Sequence, residues 1–149
     1  MASEHRIELA WTRGDGPFAR GNYAPQHTIA YSGGQTLRGA PAPDFGGQPS
    51  DVDPEQLLLS ALSSCHMLTF LALAANRGYV VDSYRDAAVA VLDKNADGKM
   101  AVVTATLAPK VVFSGDKQPT ADEYAKLHER AHANCFIANS VKTAVDVRL

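Results

Sequence analysis

Residues 53–78, DPEQLLLSALSSCHMLTFLALAANRG, carry the signals of one long helix around which the rest of the chain must fold. Asp53 can cap this helix, and Pro54 suits its first position. Gly78 stands just past the end, where a helix commonly finishes on glycine. The interior is apolar on nearly every side, which is typical of a central helix. The sequence therefore predicts a fully wrapped helix over residues 54–77.

The uncharged middle of this helix could in principle span a membrane. Gln56 to Asn76 form an uncharged run of 21 residues, which is long enough to span a bilayer. The run contains Ser60, Ser63 and other polar side chains, however, and no basic cluster flanks it. The N-terminus, MASEHRIELAW, has neither an apolar leader nor a cleavage pattern. We therefore expect a core helix in a cytoplasmic protein that does not bind a membrane.

The charge composition and the length of the chain limit which classes of protein it can belong to. The 149 residues include 14 basic and 16 acidic side chains, giving a net charge of −2 with no long run of either sign. Nucleic-acid-binding proteins usually present a basic patch or stripe, so this sequence argues against that class. The length predicts a single domain over residues 1–149, and such a chain can bury enough surface to fold without disulfides or a structural metal.

The remaining sequence predicts strands and shorter helices in an α+β order. Ile7, Leu9 and Trp11 alternate with polar or small residues, which indicates a strand. Thr120 and Glu123 form a capping box that opens a second helix. The predicted strands cover residues 6–11, 27–31, 35–38, 83–93, 99–113 and 145–149, of which 83–93 and 99–113 form one long hairpin; a long loop covers 39–53, and the predicted shorter helices cover 120–133 and 136–142. Strands do not alternate with helices as they do in a parallel α/β fold.

Two cysteines, Cys65 and Cys135, are the side chains with the clearest chemical potential. In a reducing compartment they are not expected to form a permanent disulfide. Cys65 lies midway along the long helix, where packing as a small hydrophobic residue is an alternative to chemistry. Cys135 follows a helix break, and a thiol in the first turn of a new helix favours the thiolate. A zinc or sensor site that uses Cys65, His132 and Cys135 is a further alternative, although adjacent Cys65 and His66 point in different directions.

The spacing of Glu55 and Cys65 suggests a dimer. Ten helical residues span about 15 Å, so the two side chains cannot touch within one straight helix. If two such helices pack antiparallel about a two-fold axis near Ser60, Glu55 of one chain approaches Cys65 of the other. Small residues around Ser60 permit that close approach.

Several of these segments resemble the OsmC/Ohr family over nearly the whole chain. The resemblance rests on the run Asp53 to Leu59 with its Pro-Glu-x-Leu motif, and on Ser64-Cys65-His66-Met67-Leu68 in the same helix. It continues through residues 83–88 and the Asp97-Gly98 turn, and ends with residues 131–140 around Cys135.

The resemblance implies a fold, an assembly and an activity. The implied fold is an α+β, OsmC-like intertwined homodimer in which antiparallel β-sheets wrap two long central helices. The implied activity is stress-related reduction of organic hydroperoxides, and possibly hydrogen peroxide, with no cofactor and no metal ion. Cys65 corresponds to the peroxidatic cysteine, Cys135 to the resolving cysteine, and Glu55 to a carboxylate that orients an arginine. A lipoyl protein, thioredoxin or a small thiol would reduce the resulting disulfide.

The chain departs from the family pattern at three places. Phe136 follows the second cysteine where relatives usually have proline, and His66 follows the first where the best-studied branches have phenylalanine. Arg20 is the best match to the catalytic arginine, and Arg38 is the alternative. These departures leave a rival hypothesis open, in which the fold serves as a non-catalytic ligand-binding, redox-sensing or metal-sensing protein.

Overall fold

A computed structural model describes all 149 residues, and it has the α+β composition that the sequence predicts. Residues 1–57 and residues 58–149 form two compact units. The strands are β1 (Ile7–Ala10), β2 (His27–Tyr31), β3 (Thr36–Gly39), β4 (Val80–Asp86), β5 (Val89–Lys94), β6 (Met100–Leu107), β7 (Pro109–Ser114) and β8 (Ala144–Val147). The helices are α1 (Pro54–Asn76) and α2 (Ala121–Asn134), with single 3-10 turns at Pro43–Phe45 and Ala138–Ser140.

The first unit contains one antiparallel sheet, in which β2 lies between β1 and β3. The first strand, the second strand and the short returning strand are all confirmed as strands, although every residue of β1 is exposed in the single chain. The predicted loop after β3 contains the turn at Pro43–Phe45 and returns to the sheet through a bridge between Gly39 and Val52.

The predicted long hairpin is confirmed in its antiparallel pairing, but it is interrupted in the middle and so divided between two sheets. β4 pairs with β7, whereas β5 pairs with β6, and β8 joins β6 as a parallel strand. The two sheets separate at Asp86 and Ala108. There a carboxylate oxygen of Asp86 accepts the backbone N–H of Ala108 at 2.7 Å, in place of a backbone carbonyl of the opposite strand. Pro109 follows directly and has no N–H to donate.

Helix α1 begins where the capping signals predict. The N–H of Gln56 donates to the Asp53 carboxylate at 2.7 Å, and the N–H of Asp53 donates to the Gln56 side chain at 3.1 Å. The helix ends at Asn76, and Gly78 takes a φ of +77°, which L-residues rarely adopt.

The prediction that α1 is wrapped on every side is wrong for the single chain. Its buried residues recur every fourth position and form one stripe: Leu62, His66, Phe70 and Ala74. The rest of the helix is only partly covered, and Leu68 is 61% exposed. By length and composition α1 could cross a membrane, with a mean hydropathy of 1.8 over its most apolar window and 22% of that window buried. One protomer therefore leaves much of an apolar helix uncovered.

The buried stripe of α1 packs in the core of the second unit. Phe70 and Ala74 meet Leu127 and Ala131 of α2 in that core, together with Tyr79. The capping box at the start of α2 is confirmed, since the Thr120 hydroxyl accepts the N–H of its partner glutamate and the reciprocal bond forms as well. This packing fixes the C-terminal end of α2, from which Cys135 follows.

Candidate thiol site

The structure brings the two cysteines together. Cys65 lies on α1 and is partly buried, whereas Cys135 directly follows α2 and is 1% exposed. Both are free thiols, and their side chains are joined by a hydrogen bond in which the Cys135 thiol donates to the Cys65 sulfur. They lie 70 positions apart in the sequence, so their contact depends on the packing of α2 against α1.

The segment after Cys135 surrounds the two sulfurs with backbone donors. The N–H groups of Phe136 and Ile137 donate to the Cys65 sulfur. The next N–H, that of Ala138, donates to the Cys135 sulfur at 3.4 Å. The predicted helix over residues 136–142 is only the turn Ala138–Ser140, so the preceding N–H groups are available to sulfur and not to a continuing helix.

A hydroxyl group adds a further contact to Cys65. Thr69 lies one helical turn further along α1, and its hydroxyl donates to the Cys65 carbonyl at 2.9 Å. The same hydroxyl is also within hydrogen-bond reach of the Cys65 sulfur. One hydroxyl proton serves one acceptor at a time, so Thr69 can turn to the sulfur when that sulfur is negative.

These contacts shift the pKa values of the two thiols in opposite directions. Burial raises the pKa of Cys65, but the hydrogen bonds from Ile137, Cys135 and Phe136 outweigh it, so the net pKa is below its ordinary value. Burial raises the pKa of Cys135, and the neighbouring Cys65 raises it further. The expectation that a helix start favours the thiolate at Cys135 is therefore wrong, because most of the donors point to Cys65. Cys65 is therefore the more acidic of the two thiols.

Phe136→Pro is expected to raise the pKa of Cys65, because proline has no N–H to donate to the sulfur. Cys135 has φ −72° and ψ 114°, which a residue before proline adopts without strain. Phe136→Ala is the matched control, since it keeps the N–H and removes a side chain that is 80% exposed. Thiolate absorbance in the ultraviolet, titrated in both variants, measures the effect. Equal Cys65 pKa values in the two variants would show that this N–H does not hold the thiolate.

Glu55 and the two candidate arginines lie in the first unit. Glu55 is half-buried in the first turn of α1. Arg20 is exposed at the tip of a tight turn, which is closed by paired backbone bonds between Ala19 and Asn22 at 2.9 and 3.0 Å. Arg38 lies on β3 and forms an ion pair with a buried carboxylate, that of Asp51. The Arg38 side chain therefore already has an acidic partner. Of the two candidate arginines, Arg20 is the one that forms no ion pair within the chain.

Three histidines form a second polar group in the unit that holds both cysteines. His66 and His128 are almost fully buried, at 1% and 2% exposure, and the His66 Nε2 and His128 Nδ1 atoms lie 2.9 Å apart. Their ring planes differ by 4° and their centroids are 5.2 Å apart, so the rings lie edge to edge in one plane. Burial lowers the pKa of each to about 4, and nearby His132 contributes to the shift at His66.

The sequence interpretation did not single out His128. The signal was nevertheless present, because His128 and His132 are four residues apart and must share one face of α2. Their partner, His66, occupies the buried stripe of α1 with the same four-residue spacing as Leu62 and Phe70.

The zinc alternative finds no support in this arrangement. Cys65 and Cys135 meet, but no group of three or more histidine, cysteine, aspartate or glutamate side chains is placed to hold a metal ion. The sulfurs instead contact each other and backbone N–H groups.

Comparison with known proteins identifies what this chain is similar to. Residues 47–149 match the family model described as OsmC-like protein. An OsmC-like protein of unknown function from Vibrio cholerae is 43% identical, with a TM-score of 0.95 and 99% of each chain covered. Organic hydroperoxide resistance proteins share the fold at low identity. That of Elizabethkingia anophelis is 17% identical with a TM-score of 0.71, covering 100% of this chain and 96% of its own. That of Bacillus subtilis is 18% identical with a TM-score of 0.67, covering 99% and 96%. No curated protein matches the chain.

Proposed function

Because this chain belongs to the OsmC-like protein family, we propose that it is a cysteine-dependent peroxidase that reduces organic hydroperoxides. The observation that carries the proposal is the contact between Cys65 and Cys135, with Cys65 held as the more acidic thiol. A thiolate, and not a thiol, attacks a peroxide, so the lowered pKa is what the first step requires. The Elizabethkingia and Bacillus relatives are organic hydroperoxide resistance proteins, which supports organic hydroperoxides as the substrate class.

The proposed reaction has two steps. The Cys65 thiolate attacks the terminal oxygen of the hydroperoxide, the O–O bond breaks, and the products are Cys65 sulfenic acid and an alkoxide that is protonated to the alcohol. The Cys135 thiol then condenses with the sulfenic acid, which forms the disulfide and releases water. Two thiols are oxidised for each peroxide reduced, and an external dithiol restores them by thiol–disulfide exchange.

Glu55 and Arg20 complete the proposed site. In this proposal Arg20 stabilises the negative charge on the Cys65 sulfur and on the departing oxygen, and Glu55 orients its guanidinium. Arg20 is preferred over Arg38 because Arg38 is paired with Asp51.

We also propose that the active form is a homodimer. Helix α1 is apolar along its length, yet a single chain buries only one stripe of it. A second copy of α1, packed antiparallel, would cover the exposed part, including Leu68. The uncovered apolar helix thus supports the self-association that the sequence spacing of Glu55 and Cys65 suggests.

Reaction of the reduced protein with cumene hydroperoxide under stopped flow tests the activity. We expect two thiols to be lost for each peroxide consumed, at a higher rate than with hydrogen peroxide, because the site lies beside an apolar helix. Turnover should require a dithiol such as a reduced lipoyl protein or thioredoxin. A protein that keeps both thiols in excess peroxide would instead be a binding or sensing protein on this fold.

A further inference from the structure

The two sulfurs of the proposed disulfide differ in how far solvent reaches them. Cys135 is 1% exposed, whereas Cys65 is only partly buried. In the proposed function a peroxide must reach the Cys65 sulfur, so the active assembly has to keep a path open to it. Cys135 needs no such path, because it meets Cys65 inside the protein. A molecule that comes from solvent to the disulfide therefore arrives at Cys65.

The backbone of Cys135 is held on both sides, which keeps this residue in its buried position. Its N–H donates to the His132 carbonyl at 3.2 Å, and its carbonyl accepts the N–H of Asn139 at 3.0 Å. The first bond closes the end of α2, and the second lies in the turn that follows. Because the two thiols already share a hydrogen bond in the reduced protein, their sulfurs have only a short distance to close when the disulfide forms.

We propose that the dithiol that restores the two thiols attacks the sulfur of Cys65 and not that of Cys135. This inference rests on the proposed function. One thiolate of the reductant forms a bond to the Cys65 sulfur, the Cys65–Cys135 bond breaks, and the Cys135 sulfur leaves with the electron pair and takes up a proton. The second thiolate of the reductant then attacks the reductant's own sulfur in the mixed disulfide, so that Cys65 leaves with its electron pair and the reductant becomes a disulfide.

The acidity of the leaving thiol by itself favours the opposite choice. Attack at Cys135 would release Cys65, and the more acidic thiol leaves faster. The incoming sulfur must also reach the atom that it attacks, however, and Cys135 is closed off from solvent. The N–H of Ala138, which donates to the Cys135 sulfur at 3.4 Å, stabilises the negative charge that this sulfur acquires as it leaves. Access to the sulfur therefore decides in favour of Cys65.

The position of the released Cys135 explains why the reductant needs two thiols. After the first exchange Cys135 remains beside the mixed disulfide, so it can attack the Cys65 sulfur again and expel the reductant. A second thiol on the same reductant is held close to that bond and competes with the reversal. A monothiol has no such group, and a second molecule of it must reach the site.

The monothiol 2-mercaptoethanol reports which sulfur is attacked. Wild-type protein is oxidised with one equivalent of cumene hydroperoxide, mixed with this thiol, quenched in acid at successive times and mapped by peptide mass spectrometry. We expect the earliest adduct on the peptide that contains Cys65, exceeding that on the Cys135 peptide at least about tenfold. The same oxidised protein unfolded in guanidinium chloride is the control. There the Cys135 peptide should carry a large share of the adduct, because both sulfurs are accessible.

The possible outcomes separate this inference from the proposed function. An earliest adduct on Cys135 in the folded protein would overturn the inference and leave the peroxidase activity standing. A folded disulfide that resists the thiol while the unfolded one reacts would overturn it as well, since the path to Cys65 would then be closed. An equal preference for Cys65 after unfolding would contradict burial as the cause. A protein that forms no disulfide with the peroxide would overturn the proposed function, and the inference with it.

Discussion

Cys65→Ser is expected to abolish peroxide-dependent thiol loss, lowering the rate by a factor of at least about a thousand. The reason is that serine lacks an accessible anion near neutral pH, whereas the N–H groups of Phe136 and Ile137 lower the pKa of the Cys65 thiol and so favour its thiolate. Cys135 cannot substitute for it, because its own pKa is raised. Stopped-flow measurement of thiol loss with cumene hydroperoxide checks the result.

Cys135→Ser is the matched variant and should behave differently. It keeps the attacking sulfur, so the first step should proceed and stop at Cys65 sulfenic acid, which a dimedone-type reagent can trap. Loss of the Cys135 thiol donor should slow that step only modestly, since the two N–H donors remain. Equal rates for Cys65→Ser and the wild type would show that the peroxide reacts elsewhere.

Stability should fall sharply in acid because of the buried histidine pair. Burial lowers the pKa values of His66 and His128 to about 4 in the folded protein, from the ordinary histidine value of 6.5. As the pH falls from about 6.5 to 4, the unfolded chain binds protons that the folded chain excludes, so the free energy of unfolding decreases. The loss is roughly 3 kcal/mol for each histidine over that range, which is a large part of the stability of an ordinary domain.

Replacing the rings of both His66 and His128 isolates the effect of their protonation on the free energy of unfolding. In His66→Phe/His128→Phe the polar pair becomes an apolar pair of similar shape, which should leave stability at pH 7 nearly unchanged and remove much of the acid sensitivity. Urea unfolding at pH 7 and pH 4.5 in both proteins measures the difference. If the double variant does not fold, NMR titration of the wild-type imidazoles serves instead; full protonation of both rings at pH 6 would contradict the account.

The parts of the fold that are predictable from sequence are those that depend on neighbouring residues. The capping bonds of Asp53 with Gln56, and of Thr120 with Glu123, need only a three-residue spacing, and both helices begin as expected. The break in the long hairpin depends on Asp86 reaching Ala108, 22 residues away, which no local pattern reveals.

The candidate thiol site is likewise only partly predictable from the sequence. The two cysteines can be selected from sequence, but the Phe136 and Ile137 donors cannot, because a backbone N–H has no sequence signature. The partial burial of α1 differs from its uniformly apolar sequence because one chain covers only one of its faces. The roles proposed for Glu55 and Arg20 rest on the resemblance of the sequence to the family, and the proposed dimer is the assembly in which they can be tested.

The central claim is that Cys65 and Cys135 exchange electrons with a peroxide as a pair. Its most direct test is peptide mapping of the wild-type protein after reaction with one equivalent of cumene hydroperoxide. We expect a protein lighter by two hydrogen atoms, with the peptides that contain Cys65 and Cys135 joined by a disulfide. An unchanged mass with both thiols free, or an oxygen atom added at another residue while these two cysteines stay reduced, would contradict it.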